Sequence, residues 1–158
     1  MEFERKFLLR DKYLPILPTE YTYIRQAYIP TSQGFCVRVR LMGTHLAVLQ
    51  NAEMTVKRGV SAITRYEINV PLDLAKAQEL YALVPDKLEK MRYRVPFKGH
   101  TWEIDLFQNR HQGLVLAELE LSTENEIFEL PPWVGREVTD DPQYLNETLS
   151  RQQGRWHP

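Results

Sequence analysis

Residues 1–9 read MEFERKFLL, an alternation of apolar and charged side chains with a period of two. That is the period of a β-strand, whose successive side chains point to opposite faces. Phe3, Arg5 and Phe7 fall on one face, and Glu2, Glu4 and Lys6 on the other. The alternation recurs in residues 21–29 (YTYIRQAYI), 35–42 (FCVRVRLM), 62–70 (AITRYEINV), 88–97, 101–107 and 114–121, with a less regular extended run at 45–57. Turn residues stand where strands should stop: Pro30 with Thr31-Ser32-Gln33-Gly34, Gly43-Thr44, and Pro71. Residues 10–19, with Pro15 and Pro18, read as a loop. The period first changes at 72–84 (LDLAKAQELYALV), which has helical spacing behind Asp73 as N-cap. A short helix is expected at 123–129, broken by Pro131-Pro132. A last helix is expected from Asp140 or Asp141 to Arg151, with Pro142 in its first turn. About eight strands joined by short turns imply antiparallel pairing. The expectation is a mainly β (α+β) fold whose sheet curves strongly or closes into a barrel.

Composition bounds the chemistry. The chain has 158 residues, 43% hydrophobic and 26% charged, which supports a packed core and excludes a disordered chain. With no repeat or Gly/Ser linker, residues 1–158 read as a single domain. Lys plus Arg number 20 and Asp plus Glu 21, a net charge of −1 that favours no nucleic-acid partner. No run approaches the ~20 apolar residues of a membrane span. Charges occupy the N-terminal positions where a signal peptide would be apolar, and Cys36 has no cysteine to pair with. A cytoplasmic chain with no membrane partner is the expectation.

The charges are segregated rather than mixed. Glu2 and Glu4 share a strand face, as do Glu103 and Asp105, and Glu118 and Glu120. Arg38 and Arg40 share another, as do Lys90, Arg92 and Arg94, while Thr55 and Lys57 add a further cation. A solvated strand face usually intersperses its signs, and one isolated pair would mean nothing more than that. Across six strands the pattern calls for compensation. If the charged faces turn into a barrel, the carboxylates form one wall suited to a hard divalent cation such as Mg²⁺ or Mn²⁺. The Arg and Lys side chains form the opposite wall, suited to a polyanion. Arg outnumbers Lys 13 to 7, in keeping with phosphate recognition.

Glu2-x-Glu4-x-Lys6 resembles the signature of the CYTH domain, the triphosphate tunnel metalloenzymes. It is followed in order by Arg38-x-Arg40, Thr55-x-Lys57, Arg65-x-Glu67, Lys90-x-Arg92, Glu103-x-Asp105 and Glu118-x-Glu120. The tail Trp133-x-Gly135-x-Glu137-Val138-Thr139-x-Asp141, with Tyr144-x-Asn146, looks like that of the family's short bacterial members, the inorganic tripolyphosphatases. The resemblance implies an eight-stranded antiparallel closed barrel, a triphosphate tunnel with a few peripheral helices, and Mg²⁺ or Mn²⁺ as cofactor. It implies that Lys6, Arg38, Arg40, Lys57, Lys90 and Arg92 bind the phosphates. It implies that Glu2, Glu4, Glu67, Asp105, Glu118 and Glu120 hold metal, and that Lys6 pairs with Tyr28 in catalysis. A homodimer is a further implication. The chain departs from the family at its fifth strand, where Arg65-x-Glu67-x-Asn69 stands in place of Arg-x-Glu-x-Glu.

Three activities compete. The first is metal-dependent hydrolysis of a triphosphate, most simply tripolyphosphate to pyrophosphate and phosphate, with ATP or thiamine triphosphate as other substrates. The second is cyclisation of ATP in the same tunnel. The third is non-catalytic binding of polyphosphate or nucleotide, suggested by the missing acid at Arg65 or Asn69. Other residues point to no chemistry. His45, His100, His111 and His157 lack ligand spacing and read as surface or loop histidines. Trp102 and Trp133 read as packing residues. Cys36 reads as a buried, inert thiol on the outward or core face.

Overall fold

The computed structural model describes residues 1–10, 15–45 and 48–157. The rest of the loop expected at 10–19, and residues 46–47 of the run expected at 45–57, lie outside them. The strands are β1 (Glu2–Leu9), β2 (Thr22–Ile29), β3 (Phe35–His45), β4 (Val48–Gly59), β5 (Thr64–Leu72), β6 (Lys87–Phe97), β7 (His100–Phe107), β8 (Val115–Leu121) and β9 (Val134–Glu137). The helices are α1 (Leu74–Leu83) and α2 (Asn146–Arg151), with 3₁₀ turns at Asn109–His111 and Pro142–Tyr144. Among the described residues, no helix is long and apolar enough to cross a membrane.

The hydrogen-bonded order β5-β4-β3-β2-β6-β7-β8-β1 runs through antiparallel pairs. It returns on itself because β5 also pairs with β1. Eight strands therefore close a barrel. The closing seam is narrow, with Glu2 opposite Arg65 and Phe3 opposite Thr64, plus one bond from the Glu4 amide to the Ile63 carbonyl. Beyond the seam, β9 takes over the same edge of β1, with Phe7 opposite Glu137 and Leu9 opposite Val134. At the far end of β3 the register shifts around Gly43, where a Cβ would collide with the carbonyl oxygen of Val48.

Alternation decides which side chains enter. Phe7, Trp102, Ile104, Ala117 and Leu119 face outward and are buried under Trp133 and Val134, with Phe128 packed against them. Trp102 stacks edge-on to Trp133 and tilts against Phe7, each at 5.5 Å between ring centres. α1, capped by the Asp73 carboxylate accepting from the Lys76 amide, lays Ala77 over Val39, Leu41 and Ala52. Inside, one end of the barrel is apolar: Tyr28, Leu88, Phe107 and Leu116 meet Leu149 of α2. The rest of the interior is charged.

Three expectations are corrected. Residues 123–129 form no helix. Phe128 must reach the outer cluster of Phe7 and Trp102, and Glu126 turns back to accept from the Ser122 amide, so the chain stays irregular. The last helix begins at Asn146 rather than at Asp140 or Asp141. The Asp141 carboxylate instead caps the short 3₁₀ turn Pro142–Tyr144 by accepting from the Gln143 amide at 3.1 Å. The four-residue β9 is additional. β5 also runs through Pro71, which pairs with Glu53 of β4 on a stretch whose other edge β1 leaves uncovered past Arg65.

Candidate active site

The inward faces of the eight strands surround a cavity of about 650 Å³. Glu2, Glu4 and Lys6 reach it from β1, Tyr28 from β2, Arg38 and Arg40 from β3, and Lys57 from β4. Arg65, Glu67 and Asn69 come from β5, Lys90 and Arg92 from β6, Glu103 from β7, and Glu118 and Glu120 from β8. Residues 145–147, leading into and beginning α2, line one end. Of the residues expected from sequence, Asp105 alone does not line the cavity.

Asp105 is instead buried behind Lys90 and Arg92, which occupy both its oxygens. Lys90 Nζ lies 2.6 Å from Oδ2, while Arg92 Nε reaches Oδ1 at 2.7 Å and Nη2 reaches Oδ2 at 2.8 Å. Arg92 Nη2 also donates to Glu118 Oε2 at 2.8 Å, and Lys6 Nζ sits 3.5 Å from Glu118 Oε1. Burial works against ionisation of both carboxyls. The Arg92 and Lys90 charges hold Asp105 below its ordinary value, and Lys6, Arg92 and Lys90 hold Glu118 well below. Burial pushes Lys90 down to about 8 against the pull of Asp105. This block is a compensated network of buried charge.

The cations of β3 are held more loosely. Arg38 Nη2 donates to Thr55 Oγ1 at 2.9 Å and Arg40 Nε to Gln26 Oε1 at 3.1 Å. The carboxylate facing them, Glu53, stands off at 3.8 Å from Arg38 and 3.9 Å from Arg40. Arg38 Nε is buried and has no hydrogen-bond partner among the described residues. A buried donor without a partner is costly, and this one belongs to an arginine that lines the cavity. Burial and the charges of Arg38 and Arg92 push Arg40 down to about 10.

The carboxylate wall is under-compensated in the opposite sense. Glu4 lies directly across from Glu120 in the β1–β8 pair, and Glu103 across from Glu118 in the β7–β8 pair. Facing like charges are unfavourable. Burial, then Glu103 and Glu4, raise Glu120. Burial, then hydrogen bonding with Glu67 and the charge of Glu4, push Glu2 up to about 8. Lys57 bridges Glu2 at 3.0 Å and Glu67 at 3.2 Å. Among the described residues, no three His, Cys, Asp or Glu side chains are drawn together as a ready-made cage. The donor chemistry still fits a hard cation: Glu4 and Glu120 are oxygen donors on one wall, free of ion pairs among the described residues.

Several features had no place in the sequence expectation. Lys6 and Tyr28 both line the cavity but are not hydrogen-bonded to each other. Lys6 Nζ donates to the Tyr144 carbonyl at 3.2 Å, and the Tyr28 hydroxyl accepts from Gln26 Nε2 at 2.7 Å. Burial raises the Tyr28 phenol above its ordinary value. Cys36 faces the cavity, not the outer surface, and burial pushes its thiol up to about 11. Its shared parity with Arg38 and Arg40 was the available signal. His111 is buried rather than at the surface, its Nε2 2.6 Å from the Leu149 carbonyl. Gln26 and Glu53 carry no motif, and Asn146 appears in sequence only within the tail motif Tyr144-x-Asn146, so distances are what place all three at the site.

The model of the CYTH domain matches residues 1–151. The chain belongs to the CYTH domain family. It is 38% identical over 150 residues to an inorganic triphosphatase of Acetivibrio thermocellus, covering 94% of this chain and 92% of the relative. It is 31% identical over 158 residues to an inorganic triphosphatase of Nitrosomonas europaea, covering 94% and 96%. Among solved structures, the crystal structure of an inorganic triphosphatase superposes with a TM-score of 0.68 at 29% identity, covering 98% of this chain and 97% of the other. The CYTH barrel and the order of its charged strands are thus accounted for together.

Proposed function

We propose that this CYTH chain is a divalent-metal-dependent triphosphatase that cleaves inorganic tripolyphosphate to pyrophosphate and phosphate. The observation that carries the reading is the opposition of two incomplete walls across one cavity: cations with an unused donor at Arg38, and crowded carboxylates at Glu4 and Glu120. A triphosphate supplies anionic oxygens to the first, and a divalent cation supplies positive charge to the second. Two relatives are named inorganic triphosphatases, which favours the unadorned triphosphate over a nucleotide.

Arg38, Arg40, Lys57, Lys90, Arg92 and Lys6 would hold the phosphate chain, with Arg38 and Arg40 able to grip oxygens in pairs. Glu4 and Glu120 would hold the cation, Mg²⁺ or Mn²⁺, with Glu118 beside them and Glu2 joining as it loses its proton. Such a cation would neutralise part of the charge of the phosphate chain. Asp105 orders Lys90 and Arg92 instead of binding metal, and Glu67 is tied to Lys57 and Asn69. Phosphoryl transfer asks mainly for position and charge neutralisation. Water attacks the terminal phosphorus, the bond to the bridging oxygen breaks, and pyrophosphate leaves carrying the charge that the arginines stabilise. The phenol of Tyr28, kept protonated by burial, is no base, so the water's proton passes to a carboxylate.

Purified protein with Mg²⁺ or Mn²⁺ should release phosphate from tripolyphosphate, faster than from ATP, GTP or thiamine triphosphate. Release no faster than in buffer for all four would refute the reading, and cyclic nucleotide formed from ATP would replace it with cyclisation.

A further inference from the structure

Gln26 is completely buried inside the barrel, yet it carries no charge and faces no solvent. All three of its hydrogen-bonding positions directed at neighbours are used. Oε1 accepts from Arg40 Nε at 3.1 Å, and Nε2 donates to the Tyr28 hydroxyl at 2.7 Å and to Asn146 Oδ1 at 3.0 Å. The amide can be placed only one way, because reversing it would set its NH₂ group against the Arg40 donor. Asn146 Oδ1 accepts a second bond, from Lys90 Nζ at 2.9 Å. Lys90 spends another proton on Asp105. A continuous path therefore runs from Arg40 on β3, through Gln26 on β2 and Asn146 at the start of α2, to Lys90 on β6.

Its ends are two cations that line the cavity on strands separated by β2. Its middle is two neutral amides that add no charge to a site already crowded with it. Each long cationic side chain has many rotamers, and ordering it for a ligand costs free energy unless it is already ordered. We infer that Gln26 and Asn146 are a positioning pair that fixes Arg40 and Lys90 for the phosphate chain, and that α2 thereby takes part in substrate binding. The inference rests on the triphosphatase reading. It adds two residues and one element to that site, Asn146 at the cavity's edge and Gln26 behind its lining.

The test compares Asn146→Ala, Gln26→Glu and the double variant with the unaltered protein. Asn146 is the first residue of α2 and not its cap, so Ala leaves the helix intact. Gln26→Glu is isosteric, still accepts from Arg40 and loses both donated bonds. Melting temperature checks folding, and Asn146→Ser stands in if Asn146→Ala melts early. Steady-state hydrolysis gives KM and kcat, and calorimetry in chelator gives Kd for tripolyphosphate without turnover. Each single variant should raise KM and Kd about tenfold, Asn146→Ala through its lost bond to Lys90 and Gln26→Glu through both lost donated bonds, with kcat within about threefold. The double variant should also lose about tenfold rather than a hundredfold, because the two amides act as one unit. KM and Kd within twofold of the unaltered protein for both single variants would overturn the inference, as would losses that multiply, or a fall in kcat at constant KM. If the unaltered protein binds tripolyphosphate but releases no phosphate, the triphosphatase reading fails and the Kd comparison still decides the pair. If it binds none, both fail.

Discussion

The two basic pairs of the barrel look alike in sequence and differ in situation. Lys90 and Arg92 on β6 are buried against Asp105 and Glu118 at 2.6–2.8 Å. Arg38 and Arg40 on β3 face Glu53 no nearer than 3.8 Å, and one Arg38 nitrogen is unused. The first pair is satisfied by the protein, and the second is left for something else to satisfy. A barrel lined with charge must do both: enough internal pairing to tolerate burial, and enough imbalance to attract a ligand.

The sharpest way to break the contrast is Asp105→Ala. It strips Lys90 and Arg92 of their shared buried partner, and one-sided removal from a buried pair costs about 3–5 kcal/mol. Chemical denaturation should show a loss of that size, whereas a loss under about 1 kcal/mol would mean the block is not the scaffold proposed. Arg38→Ala should do the reverse. Stability should hold or rise slightly, since an unsatisfied buried donor is removed, while kcat/KM for tripolyphosphate should fall by roughly 100-fold, about 2.7 kcal/mol. Equal damage to folding would erase the distinction between the pairs.

Glu2 offers a smaller effect on the acid wall. Its carboxyl is pushed up to about 8 by burial, by Glu67 and by Glu4, so below that pH a cation must displace a proton to reach it. Mn²⁺ affinity should therefore climb with pH, by about fivefold between pH 7 and 8 and by about twofold more before it levels off. Glu2→Gln should flatten the slope, and a slope unchanged in that variant would remove Glu2 from the cation site. The same shift has a sign for stability. Glu2 is protonated in the folded state between about 4.5 and 8 and ionised in the unfolded state, so its contribution declines as pH rises through that window. The smallest effect belongs to Cys36. Its thiol is held neutral up to about 11, so Cys36→Ser should leave hydrolysis within about twofold and alkylation at neutral pH should be slow.

Charge made the interior legible. The period of two put the charged faces inward and the apolar faces of β1, β6, β7 and β8 outward, and the ordered acid and base pairs named the family. What stayed hidden was pairing. Asp105 and Glu103 share a strand face and a charge, and nothing in their spacing tells which is locked behind Arg92 and which lines the cavity. Gln26 and Asn146 carry no charge, so the charge pattern passes over them; the tail motif marks Asn146, but only distance shows what it holds. β9 is four residues long behind two prolines, too short to show a period, and it forms because β1 has an edge that β5 leaves uncovered past Phe3. The helix expected at 123–129 lost to the outer cluster's demand for Phe128.

The closing seam bears on how the molecule assembles. β2, β3, β4 and β5 pair with sequence neighbours, as do β6, β7 and β8, so these pieces can zip locally. β1 has no such neighbour: its partners are β5, β8 and β9, and it carries Glu2 and Glu4 to them. Docking β1 closes the longest loops in the chain, and non-local contacts are in general the slow ones to form. Without β1 the carboxylate wall lacks Glu2 and Glu4, while Arg38 and Arg40 on β3 are already present. Refolding in tripolyphosphate or phosphate would then be a competition between ligand and first strand, decided by which reaches the cations sooner.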